Sequence, residues 1–218
     1  MYSNSEHFVN LFYENKLFSN GIKKLRPAIF ADRDGVLIKD KNYISNSEEV
    51  ELEKGALNFL KSAFKFNIPI VIITNQSGIS RGFFSWNDYV KVTRRMMHEI
   101  GEENPIIAIF ANGLSPNCAI GSWRKPNPNM INTASYLLNI DKRNSILIGD
   151  RESDIKAGIN AKISNLIHLQ TGHGFKERNK VVSLIETLNL IEENKKKVNL
   201  SLKNNIGEIN LKDFTCLY

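Results

Sequence analysis

The sequence predicts an α/β fold in which a central parallel sheet carries helices on both faces. Three observations lead there. Five short runs rich in Ile and Val recur between Arg26 and Glu193, separated by stretches with helical spacing. Each run is apolar without alternation, as strands covered on both faces are. Polar turns follow the runs, at the end where open α/β sheets bind their ligands.

The elements follow in order. In residues 1–26, Phe8, Leu11, Phe12, Phe18, Ile22 and Leu25 are spaced loosely like one helical face. An N-terminal helical extension is expected there, packed on the domain or offered to a partner. Residues 27–193 form the α/β domain. Strands are expected over 28–31, 68–74, 106–111, 145–148 and 164–169. Helices are expected over 55–66, 86–100, 129–138, 153–159 and 177–191, giving right-handed crossovers and three layers. Residues 194–218 hold two short alternating runs around Asn204-Asn205-Ile206-Gly207, which read either as a hairpin or as a loosely ordered tail.

Composition narrows the function. The chain has 218 residues, enough for one good-sized core, and 42% hydrophobic with 24% charged residues is ordinary for a globular protein. The net charge of +6 suits an anionic small molecule. It lacks the basic stripe or aromatic motif of a nucleic-acid binder. Lys195–197, after Glu192 and Glu193, read as a solvated helix end. Two cysteines, Cys118 and Cys216, build no disulfide framework. The first residues lack the basic start and apolar stretch of a signal peptide, and no apolar run reaches the ~20 residues that cross a bilayer. A cytoplasmic monomer with no membrane partner is expected.

The chemistry gathers at the strand ends. The first run ends in Asp32-Arg33-Asp34-Gly35, two carboxylates two residues apart. One can act as nucleophile and the other as acid/base, and together they can hold a hard cation such as Mg²⁺. Alone, Asp-x-Asp is also a common acidic turn. The second run ends Thr74-Asn75-Gln76-Ser77-Gly78, which supplies hydroxyls and amides for phosphate oxygens or simply caps a helix. After the third comes Trp123-Arg124-Lys125-Pro126-Asn127-Pro128, two adjacent cations on a proline-stiffened backbone. The fourth ends Gly149-Asp150-Arg151-Glu152-Ser153-Asp154. There Gly149 permits close approach, Asp150 can complete a metal site, and Asp154 sits one helical turn on.

A nucleophile pair, a hydroxyl, a lysine and a second acidic site, in that order at successive strand ends, resemble the haloacid dehalogenase-like (HAD) phosphohydrolases. The resemblance covers residues 27–174. The runs Asp-Arg-Asp-Gly, Thr-Asn-Gln-Ser-Gly-Ile-Ser-Arg-Gly-Phe, Arg-Lys-Pro-Asn-Pro-Asn-Met and Ile-Gly-Asp-Arg-Glu-Ser-Asp are similar to the histidinol-phosphate phosphatase subfamily. Within it they look most like the D-glycero-D-manno-heptose-1,7-bisphosphate 7-phosphatase branch. Thr171-Gly172-His173-Gly174 is similar to that branch's Thr-Gly turn.

The resemblance implies a HAD-like Rossmannoid fold and a Mg²⁺-dependent phosphomonoester hydrolase working through an aspartyl-phosphate. Asp32 would be the nucleophile, and Asp34 would protonate the leaving oxygen and then activate water. Thr74 and Lys125 would hold the phosphoryl group. Mg²⁺ would sit on Asp32, the main-chain carbonyl of Asp34, and Asp150. Asn75, Arg124 and Arg151 are candidates for gripping the rest of a small phosphorylated metabolite. A heptose bisphosphate leads, with histidinol phosphate or another sugar phosphate as the alternative; a non-catalytic HAD-fold binding protein ranks last, because the residue set is complete. Only 40 residues separate Asp34 from Thr74, and 51 separate Thr74 from Lys125, so no cap domain is expected. Many subfamily members carry a zinc loop with a Cys-x-His pair and then a Cys-x-Cys before Arg-Lys-Pro. Here residues 110–123 hold only Cys118, which cannot make a tetrahedral site, so no zinc is expected.

Overall fold

Strands whose successive side chains are covered on both faces build a sheet between two cores. In the computed structural model, which describes residues 2–3, 6–12, 25–117 and 122–169, the strands are β1 (Tyr2–Ser3), β2 (His7–Leu11), β3 (Ile29–Ala31), β4 (Ile70–Asn75), β5 (Ile106–Asn112), β6 (Ile146–Gly149) and β7 (Asn165–His168). The helices are α1 (Ala56–Lys65), α2 (Trp86–Ile100), α3 (Asn129–Leu137) and α4 (Glu152–Asn160). Sheet order is β1-β2-β5-β4-β3-β6-β7, with β3 to β7 mutually parallel and β1 and β2 antiparallel at one edge.

Period-two alternation sorts the strand residues into two cores. Ile29, Ala31, Ile70 and Ile72 pack with Phe59 and Leu60 of α1 and with Val92 and Met96 of α2. Phe30, Val71, Ile73 and Leu147 face the other way, against Met130 and Ile131 of α3 and Ile155 of α4. The result is three layers. Helix ends follow local chemistry. Ser85 and Asp88 form a capping box on α2. Asn67, Asn139 and Lys162 take positive φ just past α1, α3 and α4, where the amides of Ile68, Ile140 and Ile163 close six-residue turns.

The five parallel strands and α1 to α4 lie where the sequence puts them, within about two residues. The N-terminal expectation is corrected over its described part: His7–Leu11 is a strand, not a helix. Its register pairs Phe8 with Ala111 and Val9 with Phe110, and those two side chains enter different cores. All seven β5 residues are buried, so an uncovered β5 edge would bare a long apolar ladder. Covering that edge outweighs the weak helical spacing. Leu25, expected on the apolar face, is exposed. Phe18, Ile22, Cys118, Thr171–Gly174, the helix over 177–191, Lys195–197, the tail and Cys216 lie outside the described residues. No extra domain interrupts the described residues between Asp34 and Lys125, and no described helix is long and apolar enough to cross a membrane.

Candidate active site

Parallel strands deliver their carboxyl ends to one side of the sheet, and four of the predicted positions meet there. Asp32 follows β3, Thr74 lies near the end of β4, and Asp150 follows β6; Lys125 reaches in from the segment before α3. All four are nearly inaccessible to solvent. Lys125 Nζ lies 2.9 Å from Asp32 Oδ2 and 2.6 Å from Asp154 Oδ1, and it donates to the Ile73 carbonyl at 2.9 Å. Asp32 Oδ1 accepts from the Arg33 amide at 2.7 Å.

Three carboxylates crowd one ammonium. Asp32, Asp150 and Asp154 each offer an oxygen within 4.8 Å of the others. Burial pushes the Asp32 carboxyl up, and Asp154 adds to the effect while Lys125 opposes it. Burial, then Asp32 and Asp154, pushes Asp150 up to about 8. For Lys125, burial works against the charge, but Asp154 and Asp32 outweigh it and raise the ammonium above its ordinary value. Both Asp150 oxygens are buried without a hydrogen-bond partner among the described residues. Buried unpartnered carboxylate oxygens beside two other carboxylates fit a hard divalent cation. Gly35 keeps that space open. At φ +77°, its missing Cβ would stand 2.2 Å from Asp150 Oδ2. Gly149 likewise lets Asp154 fold back, since a Cβ there would meet the Asp154 Cβ at 2.2 Å.

Asp34 is placed differently from its neighbours. Its carboxylate accepts from Arg33 Nε at 3.2 Å, Arg33 Nη2 at 2.9 Å and Gln76 Nε2 at 2.7 Å. It is also partly open to the cleft. Thr74 Oγ1 accepts from the same Gln76 amide at 2.9 Å.

The outer candidates line the cleft. Asn75 grips the Lys125 main chain at both ends, donating to its carbonyl and accepting from its amide, each at 3.1 Å. This anchors the lysine, a use the sequence reading did not give Asn75. Arg124 donates to the Leu114 carbonyl at 3.0 Å. Arg151 pairs with Asp40 at 2.7 Å across the mouth. Trp123, just before Arg124, stacks on His7 of β2 with ring centres 4.6 Å apart.

Sequence reasoning missed the parts of Arg33, Gln76 and Asp154. The signal was present, since all three stand inside the quoted motifs, and a fully buried arginine between two acids needs a partner.

Comparison with known proteins follows the same lines. A HAD-hydrolase-like family model matches residues 122–180. A D-glycero-β-D-manno-heptose-1,7-bisphosphate 7-phosphatase of Helicobacter pylori is 38% identical over 142 residues, covering 63% of this chain and 80% of that one. A D-glycero-α-D-manno-heptose-1,7-bisphosphate 7-phosphatase of Photorhabdus laumondii is 37% identical over 151 residues, covering 66% and 82%. Among solved structures, a HAD-like chain from Mesorhizobium loti superimposes with TM-score 0.75 at 26% identity over 94% of this chain and 98% of that one. A D,D-heptose 1,7-bisphosphate phosphatase from B. bronchiseptica, complexed with magnesium and phosphate, gives 0.70 at 24% identity over 77% and 98%.

Proposed function

The chain belongs to the HAD-like phosphohydrolases, in the family of the heptose-bisphosphate 7-phosphatases, and is a phosphatase; on that premise we propose that it removes one phosphate from D-glycero-D-manno-heptose 1,7-bisphosphate in a Mg²⁺-dependent reaction. The observation that carries the metal reading is the buried Asp150 carboxylate, unpartnered among the described residues, beside Asp32 and Asp154.

Asp32, Asp150 and the main-chain carbonyl of Asp34 would hold Mg²⁺, with Asp154 oriented by Lys125 behind them. Mg²⁺ supplies positive charge that offsets repulsion between the phosphate dianion and the carboxylate nucleophile. Lys125 adds a fixed cation to the same task. Asp32 attacks phosphorus as the bond to the sugar oxygen breaks, and Asp34 gives that oxygen its proton. Water then attacks the aspartyl-phosphate and passes a proton to Asp34, releasing phosphate and restoring the Asp32 carboxylate. Thr74 and Lys125 hold the transferred group, while Arg124 and Arg151 at the cleft mouth face the rest of the substrate. Asn75 serves by fixing Lys125.

The chain works as a cytoplasmic monomer on a small metabolite, without zinc, nucleic acid or membrane. One stoichiometric zinc per chain by elemental analysis would contradict the zinc part. The main test is phosphate release from heptose bisphosphate, its monophosphates and histidinol phosphate, with and without EDTA, alongside Asp32→Asn. Metal-dependent release, highest for the bisphosphate and absent in the variant, is expected. Full turnover in EDTA overturns the metal reading, and a preference for histidinol phosphate overturns the heptose reading.

A further inference from the structure

We propose that Arg33 is a positioning residue, a buried fork that fixes the carboxylate of Asp34 for proton transfer in both half-reactions. The inference rests on the phosphatase reading above.

Arg33 is wholly buried. Its Nε spans both Asp34 oxygens at 3.2 Å, and its Nη2 reaches Asp34 Oδ1 at 2.9 Å and Gln76 Oε1 at 3.2 Å. The guanidinium lies over the ring of Tyr89, also fully buried, with its carbon 4.8 Å from the ring centre. The remaining nitrogen, Nη1, is buried too. Arg33 lines the cleft, but its side chain is closed to solvent, and its Nε and Nη2 are both taken by protein groups. Gln76 completes the hold, donating one amide to both Asp34 Oδ2 and Thr74 Oγ1.

Burying a guanidinium is unfavourable unless its partners are well arranged, and a buried ion pair is weak evidence of a stabilising role. Positioning explains the expense better. Asp34 lies beyond the end of β3, next to Gly35 at positive φ; an isolated bridge to Ile38 holds its backbone but leaves its carboxylate torsion free. A carboxylate torsion is intrinsically broad. Proton transfer needs a donor–acceptor distance of about 2.6–3.2 Å and correct aim in each half-reaction. Donors from two sides narrow that torsion before substrate arrives. A planar fork can span two oxygens, and a lysine cannot.

p-Nitrophenyl phosphate separates the half-reactions. Nitrophenolate leaves unprotonated, so attack of Asp32 and cleavage of the P–O bond proceed without Asp34. Hydrolysis of the aspartyl-phosphate still needs Asp34 to take the proton of water. Arg33→Met and Arg33→Lys are assayed by rapid quench with Mg²⁺, with Asp32→Asn as the burst-free control. Both Arg33 variants should release close to one nitrophenolate per chain in a burst, with trappable phosphoenzyme. Steady turnover should then fall about 10- to 100-fold, the lower part of the range for a lost acid/base. Gln76→Met, which removes one donor to Asp34 Oδ2 together with the donor to Thr74 Oγ1 and the acceptor for Arg33 Nη2, should show the same signature more weakly, burst retained, and decides the question if Arg33→Met does not fold. Parent-like turnover in Arg33→Lys, or slowed turnover without a burst, overturns the inference. A parent that releases no phosphate from heptose bisphosphate, histidinol phosphate or p-nitrophenyl phosphate overturns the phosphatase reading itself, which is a distinguishable failure.

Discussion

Replacing Asp150 by Asn should stabilise the metal-free protein while removing its response to Mg²⁺. Burial, with Asp32 and Asp154 beside it, holds the Asp150 proton up to about 8 against an ordinary 3.8. Between those values the folded chain binds a proton that the unfolded chain has released, so the metal-free protein loses stability as pH rises. At about pH 7, roughly 3 units of that window have been crossed. At ~1.4 kcal/mol per unit this is on the order of 4 kcal/mol. Asn does not ionise, but it leaves a buried amide unpartnered, at about 1–3 kcal/mol. The net gain in EDTA is on the order of 1–3 kcal/mol, or roughly 2–10 °C in Tm for a chain of this size. Mg²⁺ at 100 times its Kd would stabilise the parent by ~2.7 kcal/mol, and the variant far less. Thermal melts of both proteins, in EDTA and in Mg²⁺ at several pH values, test the argument. The order should cross, with the variant ahead in EDTA and the parent ahead in Mg²⁺. The EDTA gap should close toward about pH 5, where most of the window is uncrossed. A variant less stable than the parent in EDTA at neutral pH, or a gap that ignores pH, would refute the reasoning.

The remaining predictions concern single side chains. Asp34→Asn should lower kcat by about 10²- to 10⁴-fold, measured by phosphate release, and an unaltered kcat would remove Asp34 from the chemistry. Gly35→Ala places a Cβ 2.2 Å from Asp150 Oδ2 in left-handed backbone. It should lose about 1–2 kcal/mol of stability from the backbone, and Mg²⁺ affinity by roughly 10-fold or more, both readable in melts against Mg²⁺ concentration. Arg124→Ala should raise KM for a heptose bisphosphate about 10- to 150-fold more than for its monophosphate, the span of a charged hydrogen bond. Equal losses on the two substrates would show that Arg124 does not read a second phosphate.

Strands β3 to β6 were legible because each is a short apolar run buried on both faces along nearly its whole length, while β7, exposed at Asn165, was legible from its place after α4. The candidate site positions were legible for a related reason. Parallel topology forces strand ends to one side, so chain order alone brings Asp32, Thr74 and Asp150 together, and their motifs name the chemistry. Strand β2 was not legible. His7-Phe8-Val9-Asn10-Leu11 suits a strand or a loose helix equally, and the deciding partner, the bare edge of β5, lies about 100 residues away. The second use of Asn75 was hidden for the same reason, since its partner is the Lys125 main chain, 50 residues on. Residue types and their order along the chain thus determined the α/β layering and the inventory of the site. Only the tertiary structure decided that Arg33 and Gln76 grip Asp34, that Asp154 shares Lys125 with Asp32, and that the Asp150 carboxylate is buried with no hydrogen-bond partner among the described residues. Hydrogen bonds and desolvation depend on distances between segments far apart in sequence, and those distances exist only once the sheet has closed.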